Sequence, residues 1–403
     1  MKRYVLAAVL AAAAGSLWAQ QPLSPEERIA ALEKKLSEIT AKYESEIAHL
    51  QEEIAALKAD REGTPSAGAA QAALLPPSSS APERSLWSSE LNPAISLIPD
   101  FTFSAGNDPL WKEAEALNVR EVEVAFSAAI DPYARASAAL SLEDGEFSAE
   151  EVYASFPALP GGFSAKLGKF YLDFGKTNGQ HLHTWFQADK PLALRDFLGE
   201  EPFSGTGLSL NRVLPTAWAS DLTLEVTGGK NEGVFGGRRS DLAYLLAWRN
   251  YWDLSDASNL EVQLSAIQGR NEERKRTTLG NLAVTWRYRS DLSRREGLMW
   301  RTEILREHYR TEDGLLHANG AFSFVDWQFR RGWFFGVRGD YAEHPLNPQE
   351  HDKGGALVLT WYPSEYQKLR MQVQRTSYAG IGSKNAMVFE YGFSLGPHGA
   401  HPF

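Results

Sequence analysis

The chain has 403 residues, with 41 Lys and Arg against 51 Asp and Glu for a net charge of −10, a balance that argues against nucleic acid as a partner. It contains no cysteine, so disulfides and thiolate metal sites are excluded. Twelve Trp, fourteen Tyr and twenty Phe accompany a negative mean hydropathy, and no segment beyond the N-terminus reaches the ~18 consecutive apolar residues of a membrane helix.

Aromatic residues without long apolar runs suit a transmembrane β-barrel, whose strands alternate lipid-facing and water-facing side chains between aromatic girdles. The N-terminus reads differently. Lys2 and Arg3 precede the apolar run Tyr4 to Ala14, and Leu17-Trp18-Ala19 forms a cleavage site. Residues 1–19 are therefore expected to be a secretory signal peptide.

A helix is expected over 20–60. Ser24-Pro25-Glu26-Glu27 is a capping box with Pro at the first helical position. Ile29, Leu32, Leu36, Ile39 and Tyr43 keep a three-four spacing, which Ile47, Leu50, Ile54 and Leu57 resume after a four-residue stutter. This pattern predicts a periplasmic coiled coil whose heptads leave the strand number open. Residues 61–90 are rich in Ala, Ser, Pro and Gly and read as a linker.

From residue 91 to 403 the period becomes two. Val122, Val124 and Phe126 alternate with Glu121, Glu123 and Ala125, and Leu222, Leu224 and Val226 with Thr223 and Glu225. Leu282, Val284, Trp286 and Tyr288 alternate with Ala283, Thr285, Arg287 and Arg289, and Leu369, Met371 and Val373 with Lys368, Arg370, Gln372 and Gln374. Such alternation marks strands wet on one face. Asp131-Pro132, Pro160-Gly161-Gly162 and Asp313-Gly314 supply turns. About sixteen such segments fit, which suits an all-β antiparallel barrel because bacterial barrels have even strand numbers.

The water-facing charges differ along the chain. Glu121, Glu123, Glu225 and Glu261 come early, whereas Arg287, Arg289, Arg301, Arg338, Lys368 and Arg370 come late. The order predicts an acidic wall opposite a basic one across the lumen. Between two alternating segments lies a stretch without alternation, about 175–203, which includes GQHLHTWFQADKP (179–191). Too long and apolar for a free loop, it is expected to fold inward and narrow the channel. Lys176, Asp189, Lys190 and Arg195 would line the constriction with Glu121, Glu123, Arg287, Arg289, Arg338 and Arg370. His181 and His183 project from one side of an extended backbone and are candidate zinc ligands, with Asp189 or Glu200 needed to complete the set. No G-x-S-x-G, H-E-x-x-H, P-loop or dinucleotide fingerprint is present, so no enzyme is expected and no other cofactor.

LNPAISLIPDFTFSA (91–105), LGKFYLDFGKTNGQHLHTWFQADKPLALRDFLGEEPFSGTGLSL (167–210) and the C-terminal GPHGAHPF resemble a family of porin-like outer-membrane proteins with an N-terminal coiled coil. Its members are often labelled zinc-regulated TonB-dependent outer membrane receptors. A coiled coil ahead of a sixteen-stranded barrel resembles, more distantly, the trimeric phosphate-selective porins. The receptor mechanism needs a plug and about 22 strands; at roughly ten residues per strand, that would leave about four per connection and nothing for a plug.

The resemblance and the residues together imply a homotrimeric porin in the bacterial outer membrane. It would be embedded in lipid, pass small hydrophilic solutes or ions by passive or weakly selective diffusion, and hold its coiled coil in the periplasm. Two further readings stay open. One is a structural anchor tethering the envelope through the coiled coil to peptidoglycan or cell wall. The other is a zinc-uptake channel using His181 and His183.

Overall fold

The computed structural model describes residues 93–111, 115–143, 145–228, 234–236, 241–290 and 296–396. The expected signal segment, the coiled coil, the linker and the C-terminal Phe403 lie outside the described residues.

Strands with one dry face need a partner on each edge, and closure into a barrel removes unpaired edges. Sixteen strands close in this way. The first eight are β1 Ala94–Gly106, β2 Leu117–Asp131, β3 Ala134–Glu143, β4 Glu146–Leu159, β5 Phe163–Tyr171, β6 Ser204–Val213, β7 Ala219–Gly228 and β8 Leu242–Ser255. The rest are β9 Ser258–Arg270, β10 Arg276–Arg289, β11 Gly297–Arg310, β12 Leu315–Arg330, β13 Trp333–His344, β14 Asn347–Ser364, β15 Gln367–Tyr378 and β16 Gly382–Phe393. Each pairs antiparallel with its sequence neighbours, and β1 pairs with β16. The expected all-β architecture and strand number are those observed: among the described residues the closed barrel has sixteen strands, not the 22 of the receptor architecture.

Connections at one end, such as 132–133, 160–162, 256–257 and 331–332, are short. The opposite end carries the 172–203 connection between β5 and β6, the longest in the barrel. The two are called here the turn end and the loop end. At the turn end the outward face carries stacked aromatics: Trp333 lies 5.2 Å from Trp361, Trp286 packs on Tyr288, and Phe101 on Tyr391. This girdle runs from β7 round to β1. On β2–β4 the same face carries Ala128, Ala136 and Ala154 side by side on adjacent strands, with Phe126 and Phe156 beside them on β2 and β4.

Two β-bulges alter the lumen. Asp100 pairs with Glu121 and Phe101 with Val119, so Arg120 is an extra residue in β2. Likewise Ala139 pairs with Glu151 and Leu140 with Ala149, leaving Glu150 extra in β4. A bulge re-aims side chains, so Arg120 and Glu121, like Glu150 and Glu151, both reach the interior although they are consecutive.

The expectation of opposed acidic and basic walls is corrected here. Barrel closure makes the last strands neighbours of the first, so the late basic residues meet the early acidic ones at a seam. Lys368 and Arg370 of β15 pair with Glu390 of β16, and Arg120 of β2 bridges Asp100 of β1 and Glu390. The charges pair locally instead of facing one another across water.

Candidate functional site, a loop across the lumen

Residues 172–203 fold into the barrel. Leu172, Phe174, Phe197, Leu198 and Phe203 are buried with Leu245, Ile267, Leu279, Leu305, Phe322 and Phe324, inward residues of β8–β12. Each large apolar side chain taken from water contributes about 1.5–3 kcal/mol, which explains why the loop packs on the wall and not in solvent. Within it, Leu182–Thr184 form a 3₁₀ turn and Leu192–Leu198 a short helix, α1, that ends at Gly199 (φ 88°). Leu192, Ala193, Leu194, Phe197 and Leu198 form the buried stripe of α1, which lies against β12–β14. Glycine makes the approach possible: a Cβ on Gly320 of β12 would fall 2.7 Å from the Phe197 ring.

Polar contacts then fix the loop around its course. The Asp173 amide donates to Glu225, and Arg249 pairs with the Asp173 carboxylate. Lys176 pairs with Glu261 of β9 at 2.8 Å. The Thr177 amide and hydroxyl both donate to Glu303 of β11, and Arg301 donates to the Gln180 side chain. Gly175 turns the chain here at φ +70°, where a Cβ would lie 2.3 Å from Glu303 Oε2. Further on, Arg370 donates to the Trp185 and Gln187 carbonyls, Lys368 to the His183 carbonyl and Arg120 to that of Ala188. Arg338 grips both Asp189 oxygens at 3.0 and 2.8 Å while its Nε donates to Asp340. The loop thus crosses the lumen from β5 to β15 and returns to β6.

The histidines meet carboxylates that the sequence reading did not associate with them. His181 Nδ1 lies 3.0 Å from Glu150 and 3.1 Å from Glu123, and its Nε2 lies 3.2 Å from Glu151. Both ring nitrogens face acceptors, so the ring is an imidazolium. Burial alone would lower its pKa, but the hydrogen bonds to Glu123, Glu150 and Glu151 hold it well above the usual histidine value. His183 Nδ1 lies 3.1 Å from the same Glu123 oxygen, yet burial prevails there and its pKa is lowered. The rings stack 5.8 Å apart, and Tyr171 donates to Glu150. Glu123, Glu150 and His181 offer ligand atoms within 4.8 Å of one another, an oxygen–nitrogen donor set that fits zinc. Asp189 and Glu200, the carboxylates expected to fold back, are elsewhere: Asp189 is held by Arg338, and Glu200 is exposed.

The remaining expected site residues fall into two groups. Asp189, Lys190, Arg338 and Arg370 are buried anchors between loop and wall. Burial pushes the Asp189 pKa up, but Arg338 draws it below the usual carboxylate range. Burial pushes Lys190 down to about 7 against the pull of Glu201 and Glu200, and its ammonium donates to the Gly199 and Glu201 carbonyls. Arg195 pairs with Asp196 and lies over the Tyr378 ring. Glu121 is buried beside the histidine cluster, Arg287 borders a small space with Phe186 and Asp326, and Arg289 is exposed at the end of β10. Open water lies elsewhere. A cavity of about 600 Å³ extends beneath the loop along β4–β8, bordered by Glu151, Lys166, Asp173, Asp221, Glu225 and Arg249. Glu150 and Glu151 were missed because period-two reading sends one of two adjacent residues outward; the doublet itself was the signal of a bulge.

No family model matches the chain. An uncharacterized protein of Aquifex aeolicus is 27% identical over 380 residues, covering 77% of this chain and 80% of its own length. The fold is that of solved porins. The anion-selective porin from Comamonas acidovorans superposes with a TM-score of 0.53 at 8% identity, covering 75% of this chain and 99% of that one. The trimer form of OmpT, an outer membrane protein of Vibrio cholerae, superposes with a TM-score of 0.50 at 8% identity, covering 75% and 99%.

Proposed function

We propose that this chain is an outer-membrane porin that passes small hydrophilic solutes or ions through a lumen narrowed by residues 172–203. One observation carries the reading: beside a loop fixed inside a closed barrel, a water-accessible cavity of about 600 Å³ extends along β4–β8. A solute would pass between Lys166 and Arg249 on one hand and Glu151, Asp173, Asp221 and Glu225 on the other. Carboxylates predominate in this lining, which favours cations. Single-channel conductance of the refolded protein in a planar bilayer tests both parts. Discrete openings are expected, with a reversal potential in a salt gradient of cation-preferring sign that moves towards anions in Asp221→Asn/Glu225→Gln. A silent, correctly folded barrel would remove the porin reading.

Self-association as a trimer is supported by the row of small outward side chains Ala128, Ala136 and Ala154 on adjacent strands β2–β4, a face on which a second copy can approach closely. Openings in threes, lost together with the trimer in Ala138→Trp, are the expected outcome.

The His181 cluster favours a second reading, passage of a divalent metal, because its donor atoms already converge. Zinc would displace the imidazolium proton and be held by Glu123, Glu150 and His181. Block of the conductance by zinc that disappears in His181→Ala carries this reading; conductance indifferent to zinc removes it.

A further inference from the structure

The outward face of β9–β15 changes character at the loop end. On β11 the outward positions run Trp300, Thr302 and Ile304, then Arg306, His308 and Arg310. On β10 the same face begins with Arg276, directly opposite Arg270 of β9. Thr278 and Gly280 stand opposite His308 and Arg306, and His308 opposite His317 of β12, their rings 4.6 Å apart. Lys353 on β14 and Arg375 on β15 continue the row, beyond the apolar Leu357 and Val373 of their own strands.

Arg270, Arg276, Arg306, Arg310, Lys353 and Arg375 are exposed, and among the described residues no carboxylate forms an ion pair with any of them. Nearby acids are engaged otherwise. Glu343 accepts from Asn319 and Tyr341, and Glu273 from the Glu312 amide. Arginines placed directly across a sheet repel, so the Arg270 and Arg276 pair is a poor arrangement unless an anion lies over it.

Position supplies the rest. Arg306 and Arg375 directly follow the last apolar outward residues of their strands, Ile304 and Val373, the order expected where hydrocarbon gives way to headgroups. At the turn end the same strands carry aromatic rings instead. At the loop end of β2 and β8, the exposed residues are Leu117, Val119, Leu242 and Tyr244. The row is therefore local to one side and one rim.

We propose that the Arg270–Arg276–Arg306–Arg310 row, continued by Lys353 and Arg375, binds the phosphate groups of anionic lipid headgroups in the leaflet at the loop end. Guanidinium forks match phosphate oxygens bidentately, and the apolar band below holds the acyl chains of the same lipid.

The test uses the full mature chain refolded in neutral detergent and native mass spectrometry of retained lipid. The probes are a bis-phosphorylated lipid A, the same lipid without its phosphates, and inorganic phosphate. Retention of the phosphorylated lipid is expected, with roughly fivefold weaker binding for each cation removed and about a hundredfold for Arg276→Gln/Arg306→Gln/Arg310→Gln. The control Arg330→Gln/Arg331→Gln, at the turn end of β12, should bind like the parent chain. The triple variant should keep heat-modifiable gel migration and the parental conductance, since none of its positions faces the lumen. Equal retention of both lipids, or full retention by the triple variant, overturns the proposal. Displacement of the lipid by inorganic phosphate at comparable concentration overturns the lipid source and assigns the row to a free anion.

Discussion

Two of the ionic anchors that hold the loop, eight residues apart at His181 and Asp189, differ in kind. Around Asp189 the partner is Arg338, whose guanidinium stays charged at any accessible pH; Arg338 also donates to Asp340, and Gln372 donates to Asp189. Around His181 the partners are Glu123, Glu150 and Glu151, and the attraction exists only while the imidazole keeps its proton. One anchor is therefore permanent and the other is conditional on pH. The Asp189 contact is thus held at every pH, whereas the His181 contact, within a segment otherwise fastened to Arg301, Lys368 and Arg370, varies with pH.

The largest expected effect comes from breaking the permanent anchor. Asp189→Ala leaves Arg338 buried with only part of its counter-charge and should cost about 3–5 kcal/mol, read as a lower midpoint in denaturant unfolding. The loss should be the same at pH 5.5 and pH 8.5. His181→Gln should cost less, about 1.5–3 kcal/mol, and its effect should vary with pH. The folded-state pKa of His181 is raised, so its contribution is fully present below the ordinary value near 6.5 and is lost as pH rises through the raised folded value. The gap between parent and variant should accordingly shrink on going alkaline. A gap that is constant with pH would show that the two anchors are alike after all.

A third change separates packing from charge. Gly320→Leu drives a side chain into Phe197 and should cost about 1–3 kcal/mol by overpacking. It should also raise protease cleavage within 192–203 without altering the His181 pH dependence. The smallest effect is expected for Arg289→Gln, within about 0.5 kcal/mol, because that side chain is exposed at the end of β10, away from both anchors.

Much of this was legible from the amino acids. Alternation on one face requires strands wet on one side, and the strand number follows from counting such runs. The apolar, non-alternating stretch after β5 had to be covered by something, and the inner wall was the nearest cover. The anchors were not legible for two reasons. Partners such as Asp189 and Arg338 are distant in sequence, and their pairing is decided by where a loop lands on a curved wall. The doublets Arg120-Glu121 and Glu150-Glu151 defeat strict alternation because a bulge inserts one residue, which hid the carboxylates that meet His181. Barrel closure defeated the expectation of opposed charged walls, since linear order says nothing of the junction between first and last strands.

That junction has a kinetic consequence. Asp100 meets Gly392 across the seam, so the barrel cannot close until nearly its last strand has been delivered to its first. Contacts of such sequence separation form slowly. The cluster of Arg120, Asp100, Lys368 and Glu390 straddles that last joint, and the loop is fastened to Lys368 and Arg370 on the same side. Closing the wall and seating the loop are thus one event, and a chain halted before β15 would have neither a sealed edge nor a fixed constriction.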